Sequence, residues 1–132
     1  MIYAHFFGYE TAQKTLDSVE DKSEKKSVSN AVVGFIHVEA EDEQGTGKVI
    51  TKLIKNLKWL AGKNDTKNIV LHSFAHLSGS KGEPYLATVI FSQAEQRLKE
   101  AGYEVMQTPM GYFVDLDLKA PGSPLARVFK EF

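Results

Sequence analysis

A short apolar strand between two amphipathic helical segments is the feature that most constrains the fold of this chain. This strand is predicted to begin at about Lys67 and to include the apolar run Ile69-Val70-Leu71. Apolar residues recur every three or four positions over 49–60 before it and over 86–101 after it. That period predicts a helix with one buried face on each side of the strand. A strand joined to its neighbours through helices favours parallel pairing by crossover connections.

The rest of the chain predicts four further strands. Two precede the first helix and two follow the second, and the last two are close enough in sequence to form a hairpin. The fold class is therefore α/β, with a mixed β-sheet and two long helices in the order β-β-α-β-α-β-β. The polar stretch 17–30 is predicted to be a surface loop. The four strands are expected at 1–7, 31–39, 103–106 and 112–118.

Polar side chains crowd the point where the central strand ends. His72, Ser73, His76 and Ser78 follow the apolar run, and Gly79 comes directly after them. In α/β proteins ligands bind at the carboxyl ends of strands, where backbone groups become free. We therefore expect this end of the strand to form the floor of a pocket.

Composition excludes several classes of protein. The 132 residues fit a single domain spanning 1–132, and 16 basic against 17 acidic residues give a net charge of −1. Because no global basic field would attract nucleic acid, such contact requires a local patch. The lysines of the first helix are either a solvated face or a stripe for phosphates, and the solvated face is the simpler interpretation.

No cofactor is expected. The chain has no cysteine, which excludes disulfides and thiolate metal sites. A zinc site built from His5, His72 and His76 lacks close ligand spacing, and adjacent strand positions point to opposite faces. No apolar run approaches the ~20 residues of a membrane span, and the first residues lack the basic region of a signal peptide. We therefore expect a cytoplasmic protein with no membrane contact.

Several motifs in order and spacing carry a family resemblance. They are FAHLS at 74–78, LKEAGYEV at 98–105, TPMGYF at 108–113 and GSPLA at 122–126. Together they resemble the N-terminal editing domain of archaeal threonyl-tRNA synthetases, a family that shares its fold with D-aminoacyl-tRNA deacylases. The resemblance covers nearly the whole chain.

The resemblance implies an activity and partners. The family hydrolyses the ester of seryl-tRNA for threonine, so the chain is expected to be an aminoacyl-tRNA deacylase, stand-alone or as the N-terminal part of a threonyl-tRNA synthetase. Its partners would be the aminoacylated acceptor end of tRNA, a threonyl-tRNA synthetase and a second copy of itself in a homodimer. The apolar tail residues Val128, Phe129 and Phe132 also favour a homodimer.

The resemblance also implies site residues. His76 is the candidate catalytic residue, as a general base or as a group that holds the substrate, and a structural histidine is the alternative. Phe113 and Tyr112 are candidates for stacking on the terminal adenine. His5, Tyr112 and Arg127 are possible pocket or tRNA contacts. The expected substrate-binding residues are Val33, Gly34, Phe35, Ser73, Phe74, Ala75, His76 and Phe113.

The chain departs from the family pattern at several positions. Val114 stands where the family has a lysine, Arg127 where it has a glutamate, and Ser123 where it has a histidine. The family's polar pair after the first-strand histidine is Phe6 and Phe7 in this chain. Since Val114 can neither hold a water nor stabilise charge, the alternative hypothesis is a catalytically inactive relative that binds tRNA, a synthetase or a small amino acid.

Overall fold

The alternation of strands and helices predicted from the sequence is present in the computed structural model. The structure describes residues 1–15, 17, 20–21, 23–74, 82 and 84–132. Two short 3-10 segments, Ala40–Gly45 and Pro124–Ala126, accompany the regular elements. The strands are β1 (Ile2–Lys14), β2 (Lys25–Ile36), β3 (Asn68–Ser73), β4 (Glu104–Gln107) and β5 (Tyr112–Lys119), and the helices are α1 (Thr46–Lys63) and α2 (Pro84–Glu100).

The five strands form one mixed sheet in the order β4-β3-β2-β1-β5. β2, β3 and β4 are parallel neighbours, whereas β1 pairs antiparallel with β2 on one side and with β5 on the other. Both crossovers, through α1 and through α2, step across the sheet in the same direction. Because such crossovers are right-handed, they bring both helices to one face. The predicted α/β fold class with a mixed sheet is confirmed.

The predicted hairpin between the last two strands is wrong. β4 and β5 occupy opposite edges of the sheet. The four-residue β4 is held beside β3 by the α2 crossover and offers only a short edge. β5 instead pairs along the free side of β1, which is long enough to match all eight of its residues. Total pairing length therefore outweighs closeness in sequence.

The first two strands are longer than the sequence predicted. β1 does not end at Gly8 but continues to Lys14, and β2 begins at Lys25, inside the stretch expected to be a loop. The added part of β2 is largely exposed and polar. Antiparallel backbone hydrogen bonds need no apolar side chains, so the composition of this segment concealed a strand. β2 also ends at Ile36, before the predicted limit at residue 39.

Two clusters of buried residues lie on the two faces of the sheet. The larger joins the helices to the strands through fully buried residues such as Leu57, Phe91 and Leu71. The second lies on the opposite face, centres on Phe7 and Val33, and contains no helix residue among the described ones. In the described part of the chain, no helix is long and apolar enough to cross a membrane.

Truncation of Phe91 tests the importance of the helix-side core. Phe91 is fully buried on α2, so Phe91→Ala is expected to lower the free energy of unfolding by about 3–5 kcal/mol. Tyr85 lies on the same helix and is 77% exposed, so Tyr85→Ala is expected to change it by no more than about 0.5 kcal/mol. Urea denaturation followed by circular dichroism measures both. Equal losses in the two variants would contradict this assignment of the core.

Candidate functional site

A pocket of about 530 Å³ opens where β2 ends. Its wall is mostly apolar, with a few polar and charged groups at the rim, which is the usual make-up of a small-molecule site. The lining residues come from the end of β2 and the segment after it, the first residues of β1, both helices and the chain's tail. They are Met1, Ile2, Gly34, Phe35, Ile36, His37, Val38, Glu39, Asp42, Val49, Leu53, Asn56, Phe74, Ile90 and residues 127–132.

The parallel pairing of β2 with β3 explains the position of the pocket. The pairing runs from Ala31 opposite Asn68 to Ile36 opposite Ser73, so both strands end at the same level. The Phe74 amide still donates to the Ile36 carbonyl at 2.9 Å. In α/β proteins ligands bind at such carboxyl ends of strands, where backbone groups become free.

Gly82 allows a close backbone contact at the rim of the pocket. Its amide donates to the Val38 carbonyl at 2.8 Å. A Cβ atom at this position would lie 3.0 Å from both the Glu39 carbonyl oxygen and a Val38 methyl group. A side chain here would force its neighbours to shift, and the contact holds Gly82 against the segment that follows β2.

The tail of the chain forms one wall of the pocket. The Met1 ammonium donates to the Val128 carbonyl at 2.8 Å, and the Val128 amide donates to the Met1 carbonyl at 3.0 Å. Arg127 is bridged to Ile2 in antiparallel fashion. Beyond this anchor, Phe129 remains 67% exposed. The tail is thus fixed at one point and leaves its last aromatic side chains at the pocket's edge.

A buried histidine supports two aromatic side chains of the pocket. The ring of His72 lies 5.2 Å from that of Phe35 in an edge-to-face arrangement, and Phe35 meets Phe74 in the same way at 5.7 Å. His72 Nδ1 shares a hydrogen bond of 2.8 Å with Thr108 Oγ1. Burial lowers the pKa of His72 to about 4, so it is neutral at pH 7 and acts in packing.

Carboxylates surround one side of the pocket's mouth. Glu39, Asp42 and Glu131 line it, and Glu41 lies beside them. A hydrogen bond with Glu39 and the negative charges of Glu39, Asp42 and Glu131 raise the pKa of Glu41. The rim is therefore negatively charged at this side.

The structure brings together only some of the predicted site residues. Gly34, Phe35, Phe74 and Arg127 line the pocket. Val33 is fully buried in the cluster on the other face of the sheet. Two further predicted residues, Ala75 and the candidate catalytic His76, lie outside the described residues. A role for these two stays a prediction from the sequence.

The other described residues of the predicted site do not line the pocket. His5 is exposed on β1 with its ring 5.6 Å from that of Tyr3, and Ser73 is exposed at the end of β3. Tyr112 and Phe113 pair with Lys14 and Gln13 at the far end of β1, about 40 Å from Ile2 at the rise of an extended strand. Within one copy of the chain, Tyr112 and Phe113 therefore do not reach this pocket.

Sequence reasoning missed the contributions of α1 and of the chain's first residues. The helical period correctly placed Val49 and Leu53 on the buried side of α1. It could not show that the N-terminal half of this side lines a cavity. The pairing of Met1 with Val128 joins positions 127 residues apart. No local pattern in the sequence signals such a contact.

No metal centre is present among the described residues, which contain no cluster of three or more histidine and carboxylate ligands with suitable geometry. His5 and His72 lie on β1 and β3, which are separated by β2. The third histidine of the zinc arrangement considered from the sequence, His76, lies outside the described residues.

Comparison with known proteins identifies the family. The model of the archaea-specific editing domain of threonyl-tRNA synthetase matches residues 1–132. The chain belongs to this family. Curated relatives include the threonine–tRNA ligases of Thermococcus sibiricus, 33% identical over 131 residues, and of Methanosphaera stadtmanae, 32% identical over 130 residues. Each alignment covers 97% of this chain and 21% of the relative, so the chain spans about a fifth of their length.

A solved structure shares the fold of this editing-domain family member. It is the c-Myc DNA Unwinding Element Binding Protein, with a TM-score of 0.56, 14% sequence identity, and coverage of 89% of this chain and 93% of that one. At this identity the likeness concerns the fold alone. It supports the fold class predicted from the sequence.

The stability of the domain is expected to depend on pH through His72. The unfolded chain binds a proton at His72 near pH 6.5, whereas the folded chain binds it only near pH 4. As the pH falls from 6.5 to 4, the free energy of unfolding should therefore fall by on the order of 3 kcal/mol. Below about pH 4 both states are protonated and this contribution stays constant.

The measurement is urea denaturation from pH 7.5 to pH 4, compared with His72→Asn. The variant cannot titrate at this position, so its stability should decline less over the same interval. The difference between the two profiles separates His72 from the carboxylates, which titrate in both proteins. Parallel profiles would show that burial does not perturb His72.

Proposed function

We propose that this chain hydrolyses the ester bond of mischarged tRNA, with seryl-tRNA for threonine as its substrate. The observation that carries the proposal is the match of the editing-domain model over residues 1–132. The pocket supports it, since 530 Å³ of mostly apolar space with polar groups at its rim suits a terminal adenosine carrying a small amino acid.

The chemistry needs few special side chains. The oxygen of a water attacks the ester carbonyl carbon, the bond from that carbon to the ribose oxygen breaks, and the ribose oxygen takes a proton. The oxyanion formed on the way can be stabilised by backbone amides. Such amides become available where β2 and β3 end, and His76 is the side chain proposed to position or deprotonate the water.

Two departures from the family pattern bear on this proposal. Arg127, which stands where the family has a glutamate, lines the pocket. Val114, which stands where the family has a lysine, packs half-buried against the cluster on the helix-free face and pairs with Thr11. Neither reproduces the family's charge. A deacylase with these residues must rely on His76, backbone amides and the substrate's own groups.

Partners follow from the same proposal. The matched relatives are threonine–tRNA ligases, so we propose that the chain acts on the acceptor end of tRNA in association with such a synthetase, in the cytoplasm. We also propose a homodimer. The helix-free face of the sheet carries the half-buried apolar residues Phe35, Met106 and Val114, which a second copy would cover.

Single-turnover deacylation tests the activity. Seryl-tRNA for threonine should be hydrolysed faster than threonyl-tRNA, and His76→Ala should slow the serine reaction by about 10²-fold or more, the usual contribution of a general base. His5→Ala is the matched histidine control and should leave the rate unchanged, because His5 does not line the pocket.

A second pair of variants ties the activity to the pocket. Val49 lines it, whereas Thr51, two residues away on α1, is exposed outside it. Val49→Phe should reduce kcat/KM by roughly 10-fold or more through steric exclusion, and Thr51→Phe should not. If neither ester were hydrolysed faster than in buffer while tRNA still bound, the non-catalytic alternative would replace the deacylase.

The homodimer has a separate test. Sedimentation at micromolar concentration should give the mass of two chains, and Val114→Asp should shift the protein towards monomer because it would bury an unpaired charge at the proposed interface. The exposed Asp117, on the same strand, allows Asp117→Asn as a control of similar size. Monomer alone for the unmodified protein would exclude the homodimer.

A further inference from the structure

The outer face of α1 carries a ridge of basic side chains around the chain's single tryptophan. We define the lysine ridge as Lys48, Lys52, Lys55, Trp59 and Lys63, all of which are exposed. They recur at steps of three and four residues. At about 100° per residue they fall within an arc of roughly 80°, opposite the buried side of the helix.

The charge of α1 is one-sided. Its 18 residues contain five lysines and no aspartate or glutamate, although the whole chain has a net charge of −1. Within the described residues no lysine of the ridge forms an ion pair. Lys63 instead lies with its ammonium 6.0 Å from the centre of the Trp59 ring. The ridge lysines thus form no ion pair with carboxylates of the described residues, although Lys48 and Lys52 line a small cavity together with Glu41 and Asp42.

The lysine ridge does not serve the stability of the helix. Lysines spaced three or four residues apart repel each other, at roughly 0.2–0.5 kcal/mol per pair. Lys48 also lies near the helix N-terminus, where the helix dipole favours negative charge. Trp59 adds a large apolar ring that is 44% exposed. Only Lys63 gains from its position, through the Trp59 ring and the C-terminal end of the helix dipole. Lys48, Lys52 and Lys55 have no such contact within the described residues, and their charges point to an external anionic partner.

The position of the ridge relative to the pocket indicates the partner. Val49, Leu53 and Asn56 of α1 line the pocket. Lys48 and Lys52 line a smaller adjoining cavity. The ridge therefore begins beside the pocket's mouth and continues along the helix for about 22 Å, at 1.5 Å per residue. A ligand whose end enters the pocket and whose body is a regular polyanion would lie along this ridge.

We propose that the lysine ridge binds the phosphate backbone of an RNA duplex, the acceptor stem of the tRNA whose 3′ end enters the pocket. The proposal rests on the proposed function, because the pocket is taken to hold that 3′ end. Ammonium groups contact phosphates as point charges, and Trp59 offers an aromatic surface beside them. The acidic rim, at Glu39, Glu41 and Asp42, repels phosphate and so directs the backbone towards α1.

The test compares two triple variants that each remove three positive charges. Lys52→Gln/Lys55→Gln/Lys63→Gln neutralises the ridge. Lys25→Gln/Lys26→Gln/Lys119→Gln neutralises three exposed lysines on the strands. Each protein is titrated with the uncharged acceptor-stem hairpin of threonine tRNA at several salt concentrations. The ridge variant should bind about tenfold more weakly or worse, and its dependence of log K on log salt should be shallower by about 2 to 3.

Trp59 provides a local readout. Because it is the chain's single tryptophan, intrinsic fluorescence reports on the lysine ridge alone. Binding of the hairpin to the unmodified protein and to the strand-lysine variant should change the Trp59 emission and protect it from acrylamide quenching. Circular dichroism verifies that both variants are folded, and glutamine keeps nearly the same helix propensity as lysine.

The outcomes separate this proposal from the proposed function. Equal weakening in the two triple variants, absence of hairpin binding by the unmodified protein, or binding that leaves Trp59 emission and quenching unchanged would each overturn the ridge proposal. Binding through the ridge without ester hydrolysis would support the ridge and refute the deacylase. Ester hydrolysis with hairpin binding unaffected by the ridge variant would refute the ridge and leave the deacylase standing.

Discussion

The parallel pairing of β2 with β3 is the constraint on which the rest of the structure depends. It aligns the ends of both strands, with Phe35 opposite His72 and Ile36 opposite Ser73. The crossover that parallel pairing requires is α1, and α1 in turn supplies a wall of the pocket on its inner side and the lysine ridge on its outer side. A single pairing thus determines where the pocket lies and which helix flanks it.

Charge in this protein is separated by location. Carboxylates gather in the segment before α1 and at the pocket's rim, while α1 itself carries only lysines. Over the whole chain 16 basic residues nearly balance 17 acidic ones, so the net charge of −1 carries no information on local binding surfaces. Charged partners respond to local surfaces, because salt screens exposed charges that are farther away than a Debye length of about 10 Å.

Family membership and fold answer different questions here. The editing-domain model covers the whole chain, whereas the protein of similar fold is 14% identical and carries another name. A shared fold does not fix function, so the proposed activity depends on the pocket and its side chains. Val114 and Arg127 bear directly on the proposed activity, because they stand where the family pattern has a lysine and a glutamate.

Elements with local signals could be predicted from the amino-acid sequence. Helical periodicity located α1 and α2, and the buried strand before FAHLS was evident from its apolar run. The motifs also determined the family. Of the residues predicted for the site, Gly34, Phe35, Phe74 and Arg127 line the pocket, and their role in binding stays a prediction.

Features that depend on contacts between distant residues emerged from the folded chain alone. It moved β5 to the edge beside β1, extended β1 and β2 through polar residues, and separated Tyr112 and Phe113 from the pocket. It also closed the pocket with the tail, through the hydrogen bonds between Met1 and Val128. Backbone hydrogen bonds between strands depend little on the type of side chain. The geometry of the whole sheet, and no local sequence pattern, therefore determines which strand edges pair.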